Sequence, residues 1–162
     1  MEQLWAPWRM ELIDKGDHHG CIFCELPAQT NDRENLILGR SKSSFAILNR
    51  YPYNNGHLMV VPRQHTSDLL SLPDDAHRDL ADHLRVALRL LQKAYPAQGY
   101  NLGMNLGRTA GAGIADHLHW HIVPRWEGDT NFMPVLGKTK VMIEYLHDSW
   151  DKLRPLFDAE FK

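Results

Sequence analysis

Histidine alternates with apolar residues in the segment Asp116-His117-Leu118-His119-Trp120-His121-Ile122-Val123-Pro124. Successive side chains of a β-strand point to opposite faces, so a strand over His117–Val123 places the three imidazoles on one face and the apolar residues towards the core. Neighbouring imidazoles then lie roughly 6.5 to 7 Å apart along the strand. Three in a row are unusual for packing, because each buried polar group needs a partner. The segment predicts a functional face on a sheet, with a solvated histidine face as the alternative.

A metal site is the second interpretation of these histidines. Histidines two positions apart on a strand can reach one zinc ion, so all three could hold a catalytic metal. Such a site leaves Cys21 and Cys24 without a role, whereas a closed structural site takes both thiolates and two histidines from elsewhere in the chain. The second arrangement uses more of the residues that are present.

Short strands and two helices surround this segment. A helix opens at Pro73, because proline suits the first helical position, and its apolar stripe ends before Pro96. A second helix over about residues 138–155, centred on Lys140–Leu153, closes the chain. The strand patterns cover Asn35–Arg40, Phe45–Asn49, His57–Val61, Gly99–Leu106 and His117–Val123. We expect one domain over residues 1–162 of the α+β class, with an antiparallel sheet of about five strands and two main helices.

Four further histidines receive no chemical role at this level. His57 begins its strand and is expected to be structural. His77 and His83 are assigned to the polar side of the first helix, and His147 to the second, so we expect all three to be solvated.

Composition excludes several functions. The net charge of −2 gives no footprint for duplex nucleic acid, and no apolar run is long enough to span a membrane. The N-terminus has no apolar core of a secretion signal, so we expect a cytoplasmic protein. In that reducing compartment Cys21-x-x-Cys24 indicates metal binding or redox chemistry, and the strand-then-helix setting of a redox pair is missing.

Glycine is concentrated just before the histidine segment, in Gly107–Gly113. Backbone N–H groups without side-chain bulk can approach phosphate oxygens closely, so this loop is a candidate phosphate cradle. Arg108, Thr109 and Arg125 could aid it. A flexible turn is the alternative.

The chain resembles the histidine-triad superfamily. The segment His117-x-His119-x-His121 followed by Ile122 and Val123 is similar to the superfamily signature. Further similar segments, in the same order, are Phe45–Asn49, Gly56-His57, Val60–Pro62 with His65, the long helix and Asn105-x-Gly107. Three stretches resemble the branch that includes diadenosine tetraphosphate phosphorylases, namely Leu4–Arg9, Ala110–Ile114 and Pro124–Met133.

The resemblance implies catalytic roles. His119 would attack the α-phosphorus of a nucleotide and carry the nucleotidyl group, while His121 would hold the α-phosphate oxygens. The implied nucleotide-binding residues are Phe45 and Ile47 near the base, Asn49 at the ribose, and Asn105, Gly111, Gly113 and His121 at the phosphates. The superfamily's usual polar pair near Ala112 and Gly113 is absent, which favours backbone contacts there. Ordinary strand packing is the alternative for Phe45 and Ile47.

The resemblance also implies a structural zinc. Cys21, Cys24, His65 and His117 would hold the ion in an N-terminal zinc-knuckle segment of about residues 1–30, with His18 and His19 as lower-ranked ligands. No organic cofactor is expected.

Partners and reaction follow from the same resemblance. We expect a homodimer that extends the sheet, a nucleotide substrate, and phosphate or water as acceptor. Phosphorolysis of diadenosine tetraphosphate is the leading expectation. Hydrolysis of nucleoside phosphoramidates or dinucleoside polyphosphates is the near alternative, and a zinc-binding interaction module without turnover is the alternative from another class.

Overall fold

The computed structural model describes residues 20–130, 136, 137, 139 and 141–161. The Leu4–Arg9 motif, the end of the Pro124–Met133 motif, and His18 and His19 lie outside the described residues. In chain order the helices and strands are α1 (Ile22–Glu25), β1 (Ile37–Arg40), β2 (Ser44–Leu48), β3 (Leu58–Pro62), α2 (Asp74–Ala94), β4 (Gly99–Gly103), β5 (Trp120–Arg125) and α3 (Leu146–Glu160).

The five strands form one antiparallel sheet in the order β1-β2-β3-β5-β4. The predicted α+β class and antiparallel sheet are therefore confirmed. The central pairs place Ile47 beside Met59 and Met59 beside His121, so these three side chains share one face. Among the described residues, no helix has the length and apolarity needed to cross a membrane.

The strand that carries the histidines is shorter than predicted. Its first pair with β3 joins Trp120 to Val60, so β5 begins after His117 and His119. The backbone ahead of Trp120 bonds elsewhere, because the N–H of Leu118 donates to the carbonyl oxygen of Thr66 at 2.8 Å. Only His121 belongs to the regular ladder, and its neighbour Ile122 is buried as predicted.

Both long helices cover the sheet face opposite His121. Ser44 of β2 contacts His83 of α2, and α3 lies over β1, where a Cβ on Gly39 would come within 2.9 Å of the Phe157 ring. Since Ser44 faces the helices, the alternating residues Phe45 and Ile47 face the other side of the sheet. That side is left for the histidine segment and for the short helix α1.

The C-terminal helix lies later in the chain than predicted. It runs from Leu146 to Glu160 rather than over about residues 138–155. Pro155 argues for an end at that point, because proline cannot donate a helical hydrogen bond. The helix continues because Leu153 and Phe157, one turn apart, are both fully buried against the sheet.

The expectation that the His83 ring is solvated is wrong, because its side chain is buried. Ser44 Oγ donates to Asp79 Oδ2 and lies 2.8 Å from Nδ1 of His83, so Nδ1–H donates to that hydroxyl. Nε2 of His83 is buried and has no hydrogen-bond partner among the described residues, and the Phe161 ring lies 4.5 Å away between centroids. Burial lowers the pKa of His83 to about 4, outweighing the opposite effect of the nearby Asp79 carboxylate.

We predict that His83 makes the protein less stable in mild acid. Its pKa is about 4 in the folded chain and about 6.5 in the unfolded chain, so between these values the unfolded chain binds an extra proton. The free energy of unfolding therefore decreases as the pH falls from about 6.5 towards 4, by up to about 3 kcal/mol. Urea unfolding at about pH 7 and about pH 5 measures this loss.

The variant His83→Gln should lose less stability between pH 7 and pH 5 than the wild type, although His117 and His119, whose pKa values burial also lowers, still contribute. His77→Gln, at an exposed position of the same helix, should keep the full loss. Equal pH dependence in the wild type and His83→Gln would contradict the assignment.

Candidate active site

His119 lies just ahead of β5 with one ring nitrogen committed. Its Nδ1 is 2.9 Å from the carbonyl oxygen of His117, which can only accept, so Nδ1 carries the proton and Nε2 the lone pair. Among the described residues Nε2 has no hydrogen-bond partner. Two side-chain atoms without a partner are fully enclosed there, His83 Nε2 and Tyr100 Oη, and His119 Nε2 is not one of them, so it is partly accessible. The residue as a whole is 5% exposed, so the ring is nearly enclosed.

Burial keeps the His119 ring neutral. Desolvation lowers its pKa more than the hydrogen bond to the His117 carbonyl raises it. The Phe23 ring of α1 lies 5.1 Å away and the His121 ring 4.9 Å away between centroids, so aromatic rings flank the imidazole. A neutral ring with an accessible lone pair is the form that attacks an electrophile.

His121 is oriented by a second histidine, His57. The backbone N–H of Tyr53 donates to Nδ1 of His57 at 3.0 Å, so the His57 proton is on Nε2. That Nε2–H donates to Nδ1 of His121, also at 3.0 Å, and the proton of a neutral His121 is then on its Nε2. The pair presents His121 as an N–H donor beside the His119 lone pair.

Sequence reasoning missed the role of His57. The signal is the spacing of His57 and Met59, two positions apart, which puts their side chains on the same face. Met59 pairs with His121 across β3 and β5, so all three side chains share that face. The strand register that brings His57 to His121 is set by long-range pairing and is not encoded within the local sequence.

The loop before His57 is fixed at both ends. Gly56 has φ +72°, and a Cβ there would lie 2.8 Å from the Tyr95 ring. Asn54 donates to the carbonyl oxygen of Pro124 at 3.0 Å and to Asp129 at 2.7 Å. The hydrogen bond and charge of Arg125 hold the pKa of Asp129 far below its usual range. This cluster ties the His57 loop to the end of β5.

The predicted nucleotide-binding residues do not all reach the surface. Phe45 is 0% and Ile47 3% exposed, so both lie in the core, which favours the packing alternative. Asn49 is half-buried beside His57, with Nδ2 at 3.5 Å from its Nε2, while its Oδ1 accepts from the N–H of Tyr51 at 2.9 Å. Of the three, only Asn49 offers surface to a ligand.

The glycine loop is a tight, left-handed turn beside Asn105. Gly107 and Gly111 have φ values of +82° and +88°, and a Cβ on Gly111 would lie 3.4 Å from Asn105 Nδ2. The Gly111 amide donates within the loop, to the carbonyl oxygen of Arg108 at 2.9 Å. Among the described residues the Gly113 amide has no partner, so it is the better candidate for a phosphate contact.

Arg125 does not serve as the predicted aid to the phosphate loop. Its Nε and Nη2 donate to Asp129 at 2.6 and 2.9 Å, and its Nη1 to Asn101 at 2.7 Å. The guanidinium is therefore occupied at the far end of β5.

Four side chains converge on a candidate metal centre. Cys21, Cys24, His65 and His117 have ligand atoms that all lie within 4.8 Å of one another. Nδ1 of His117 is 3.3 Å from Cys21 Sγ, 3.6 Å from Cys24 Sγ and 3.2 Å from Nδ1 of His65. A tetrahedral zinc shell has ligand separations of roughly 3.3 to 3.8 Å. This set could hold a metal ion.

The geometry argues against one metal on all three alternating histidines. His117 donates from Nε2 to the carbonyl oxygen of Pro62 at 2.8 Å and turns Nδ1 to the thiols, so neither nitrogen is left for an ion shared with His119 and His121. The Phe23 ring lies against His117 as well as His119, with centroids 5.5 and 5.1 Å away. The metal cluster and the His119 ring are separate but adjacent.

Comparison with known proteins identifies the family of the chain. The HIT domain family matches residues 30–128. The chain is 40% identical over 158 residues to an AP-4-A phosphorylase of Mycobacterium tuberculosis, covering 92% of this chain and 80% of the relative. It is 30% identical over 135 residues to an adenosine 5'-monophosphoramidase of Candida albicans, covering 75% of this chain and 87% of the relative.

Solved structures have the same fold. A hypothetical histidine triad nucleotide-binding protein from Sulfolobus tokodaii strain7 gives a TM-score of 0.68 at 29% identity, covering 86% of this chain and 93% of that one. A Zn-bound histidine triad family protein from Mycobacterium smegmatis gives 0.68 at 24% identity, with 87% and 95% covered. With the family match spanning residues 30–128 and a relative 40% identical over most of both chains, this chain belongs to the HIT domain family.

Proposed function

We propose that this enzyme cleaves dinucleoside polyphosphates, with diadenosine tetraphosphate as substrate and inorganic phosphate as acceptor. The observation that carries the proposal is the accessible Nε2 of His119, whose lone pair is fixed by the bond from Nδ1 to the His117 carbonyl. The relative at 40% identity, named AP-4-A phosphorylase, supports the substrate and the acceptor.

The reaction proceeds in two displacements. The Nε2 lone pair of His119 attacks the α-phosphorus, and the P–O bond to the β-phosphate breaks with its electron pair on the departing ATP. An oxygen of inorganic phosphate then attacks the same phosphorus, and the P–N bond breaks with its electron pair returning to Nε2. Diadenosine tetraphosphate and phosphate thus give ADP and ATP.

The surrounding residues stabilise the phosphoryl group. His121 donates Nε2–H to a non-bridging oxygen of the α-phosphate, where negative charge is retained in the transition state. The Gly113 amide and the Asn105 side chain supply further donors from the glycine loop. Asn49 contacts the ribose beside His57.

Hydrolysis with water as acceptor is the second candidate. It is favoured by the relatives named adenosine 5'-monophosphoramidase, at about one-third identity or less. A zinc-binding module without turnover has less support, because it gives no role to the fixed lone pair of His119.

Products formed with and without phosphate test the reaction. We expect the wild type to give ADP and ATP from diadenosine tetraphosphate when phosphate is present, and His119→Asn to be slower by at least about a thousandfold because the nucleophile is lost. Chromatographic separation of the nucleotides measures both, and mass spectrometry of quenched protein should find one adenylyl group on His119. AMP and ATP as the products would establish hydrolysis, and an active His119→Asn would exclude the nucleophilic role.

We predict that His57 acts through His121. His57→Phe removes the hydrogen bond that His57 Nε2–H donates to Nδ1 of His121 and no longer fixes the tautomer of that ring, so kcat/KM should fall about tenfold to a hundredfold. His57→Gln keeps an N–H donor and should recover part of the loss. Steady-state kinetics and the melting temperature separate this effect from unfolding, and equal rates in both variants would contradict it.

We propose zinc as the ion of the Cys21, Cys24, His65 and His117 cluster. Two thiolates and two imidazoles at tetrahedral separations suit zinc, and a closed shell of this kind stabilises the fold and leaves no position for substrate. His117 then takes no part in proton transfer.

Substitution of one ligand tests the zinc proposal. Cys21→Ser and His65→Gln should lower the zinc content, measured by mass spectrometry of metals. The melting temperature should fall by about 5 °C or more, because a loss of even 2 kcal/mol shifts a domain of this size by that amount. His77→Gln, at an exposed position, is the matched control. Unchanged zinc and melting temperature in both ligand variants would refute the site.

We also propose a cytoplasmic homodimer in which β4 of one protomer pairs with β4 of the other. Within the part of the chain that the structure describes, β4 is an edge strand paired with β5 alone, and Leu102 on it is exposed. Two reduced thiols suit the reducing cytoplasm. Light scattering that gives the mass of a single chain would exclude the dimer, and cell fractionation tests the location.

A further inference from the structure

A large open cavity lies next to the phosphate loop. It measures about 710 Å³ and is lined by residues 67–70 on one side and by residues 106–108 and 115–116 on the other. Small-molecule sites typically have volumes of about 300 to 1,000 Å³. Gly107 and Arg108 of the glycine loop belong to this lining, and none of the three alternating histidines does. The cavity is therefore separate from the site of nucleophilic attack.

Arg108 is an unpartnered cation in the wall of this cavity. Every other arginine among the described residues has a carboxylate or carbonyl partner, for example Arg63 with the Ser41 carbonyl and Arg125 with Asp129. The Arg108 guanidinium has neither a hydrogen bond nor an ion pair within that part of the chain; only the backbone carbonyl of this residue is bonded, to the Gly111 amide. A guanidinium presents up to five donors in a fork that matches phosphate oxygens.

The rest of the wall combines apolar and acidic groups. Leu70 is 93% and Leu106 51% exposed, which leaves two large apolar side chains facing solvent. Asp68 caps the turn by accepting from the Leu70 amide at 2.9 Å, and Asp116 lies opposite. Leucine side chains suit the face of a base, and carboxylates accept from ribose hydroxyls or an exocyclic amine. The wall thus fits a nucleoside joined to phosphate better than phosphate alone.

The cavity is within reach of the reacting centre. Asp116 precedes His119 by three residues, which span at most about 10 Å when fully extended. Arg108 directly follows Gly107, the first residue of the phosphate loop. A polyphosphate chain that starts at His119 and follows the loop therefore leads to Arg108.

We propose that this cavity binds the departing nucleotide of the substrate, with Arg108 on its distal phosphates and Leu70 and Leu106 against the second base. This inference rests on the proposed function, because it assumes that His119 receives the first nucleotide. It explains how the enzyme selects a dinucleoside polyphosphate over a mononucleotide: only the former occupies both sites.

Ligand binding to the inactive variant His119→Asn tests the inference. Calorimetry compares three ligands: diadenosine tetraphosphate, adenosine 5'-tetraphosphate without the second base, and AMP. Adding Arg108→Gln to this variant should weaken its affinity for the two tetraphosphates by about tenfold to a hundredfold. Its affinity for AMP should fall by less than about twofold, since the charge-assisted contact that is lost is made only to the distal phosphates. Arg78→Gln, an exposed arginine on α2, is the matched control and should change none of the three.

The second variant tests the apolar wall. Leu70→Asn should weaken diadenosine tetraphosphate severalfold and leave adenosine 5'-tetraphosphate unchanged, and the high exposure of this side chain makes an effect on folding small. Equal weakening of all three ligands by Arg108→Gln would place Arg108 at the α-phosphate and overturn the inference. Unchanged affinity for diadenosine tetraphosphate in both Arg108→Gln and Leu70→Asn would also overturn it. Failure of the proposed function is distinguishable, because the wild type would then not cleave diadenosine tetraphosphate at all.

Discussion

The hydrogen bond from Nδ1 of His119 to the carbonyl oxygen of His117 is the constraint on which the site depends. An imidazole has two nitrogens, and fixing the proton on one decides the chemistry of the other. His117 uses Nδ1 towards the thiols, His119 uses it as a backbone donor, and His121 uses it as an acceptor from His57. Three identical side chains thus present different ring nitrogens, which suit the proposed roles of metal ligand, nucleophile and donor.

The Cys21, Cys24, His65 and His117 cluster and the His119 ring are linked through one short piece of backbone. His117 turns Nδ1 towards the thiols and also supplies the carbonyl that orients His119. The segment that leads from β3 to the cluster holds the same stretch, because Pro62 accepts from His117 and Thr66 accepts from Leu118. A displacement of the cluster therefore displaces the His119 ring.

Sequence periodicity predicted the sheet class and the long helix, because alternation and three-to-four-residue spacing are local properties. Its predictions were wrong where contacts between distant parts of the chain determine the structure. β5 starts late because Thr66 takes the Leu118 amide, and His57 joins the site through a register that only the folded sheet defines. His83 is a different failure, since Leu80, His83 and Ala87 follow the buried helical spacing and the signal was present. The residues alone indicated the cysteine pair as a metal site, while its two histidines came from family resemblance.

The hydrogen-bonded cluster of Asn54, Asp129 and Arg125 fixes one part of the site, while another part lies outside it. This cluster holds the His57 loop against the end of β5, and the His117 carbonyl holds the His119 ring. The turn over residues 67–70 contains none of these residues. Substrate choice in this scaffold can therefore be re-engineered from that turn, without changing the residues that hold His119 and His121.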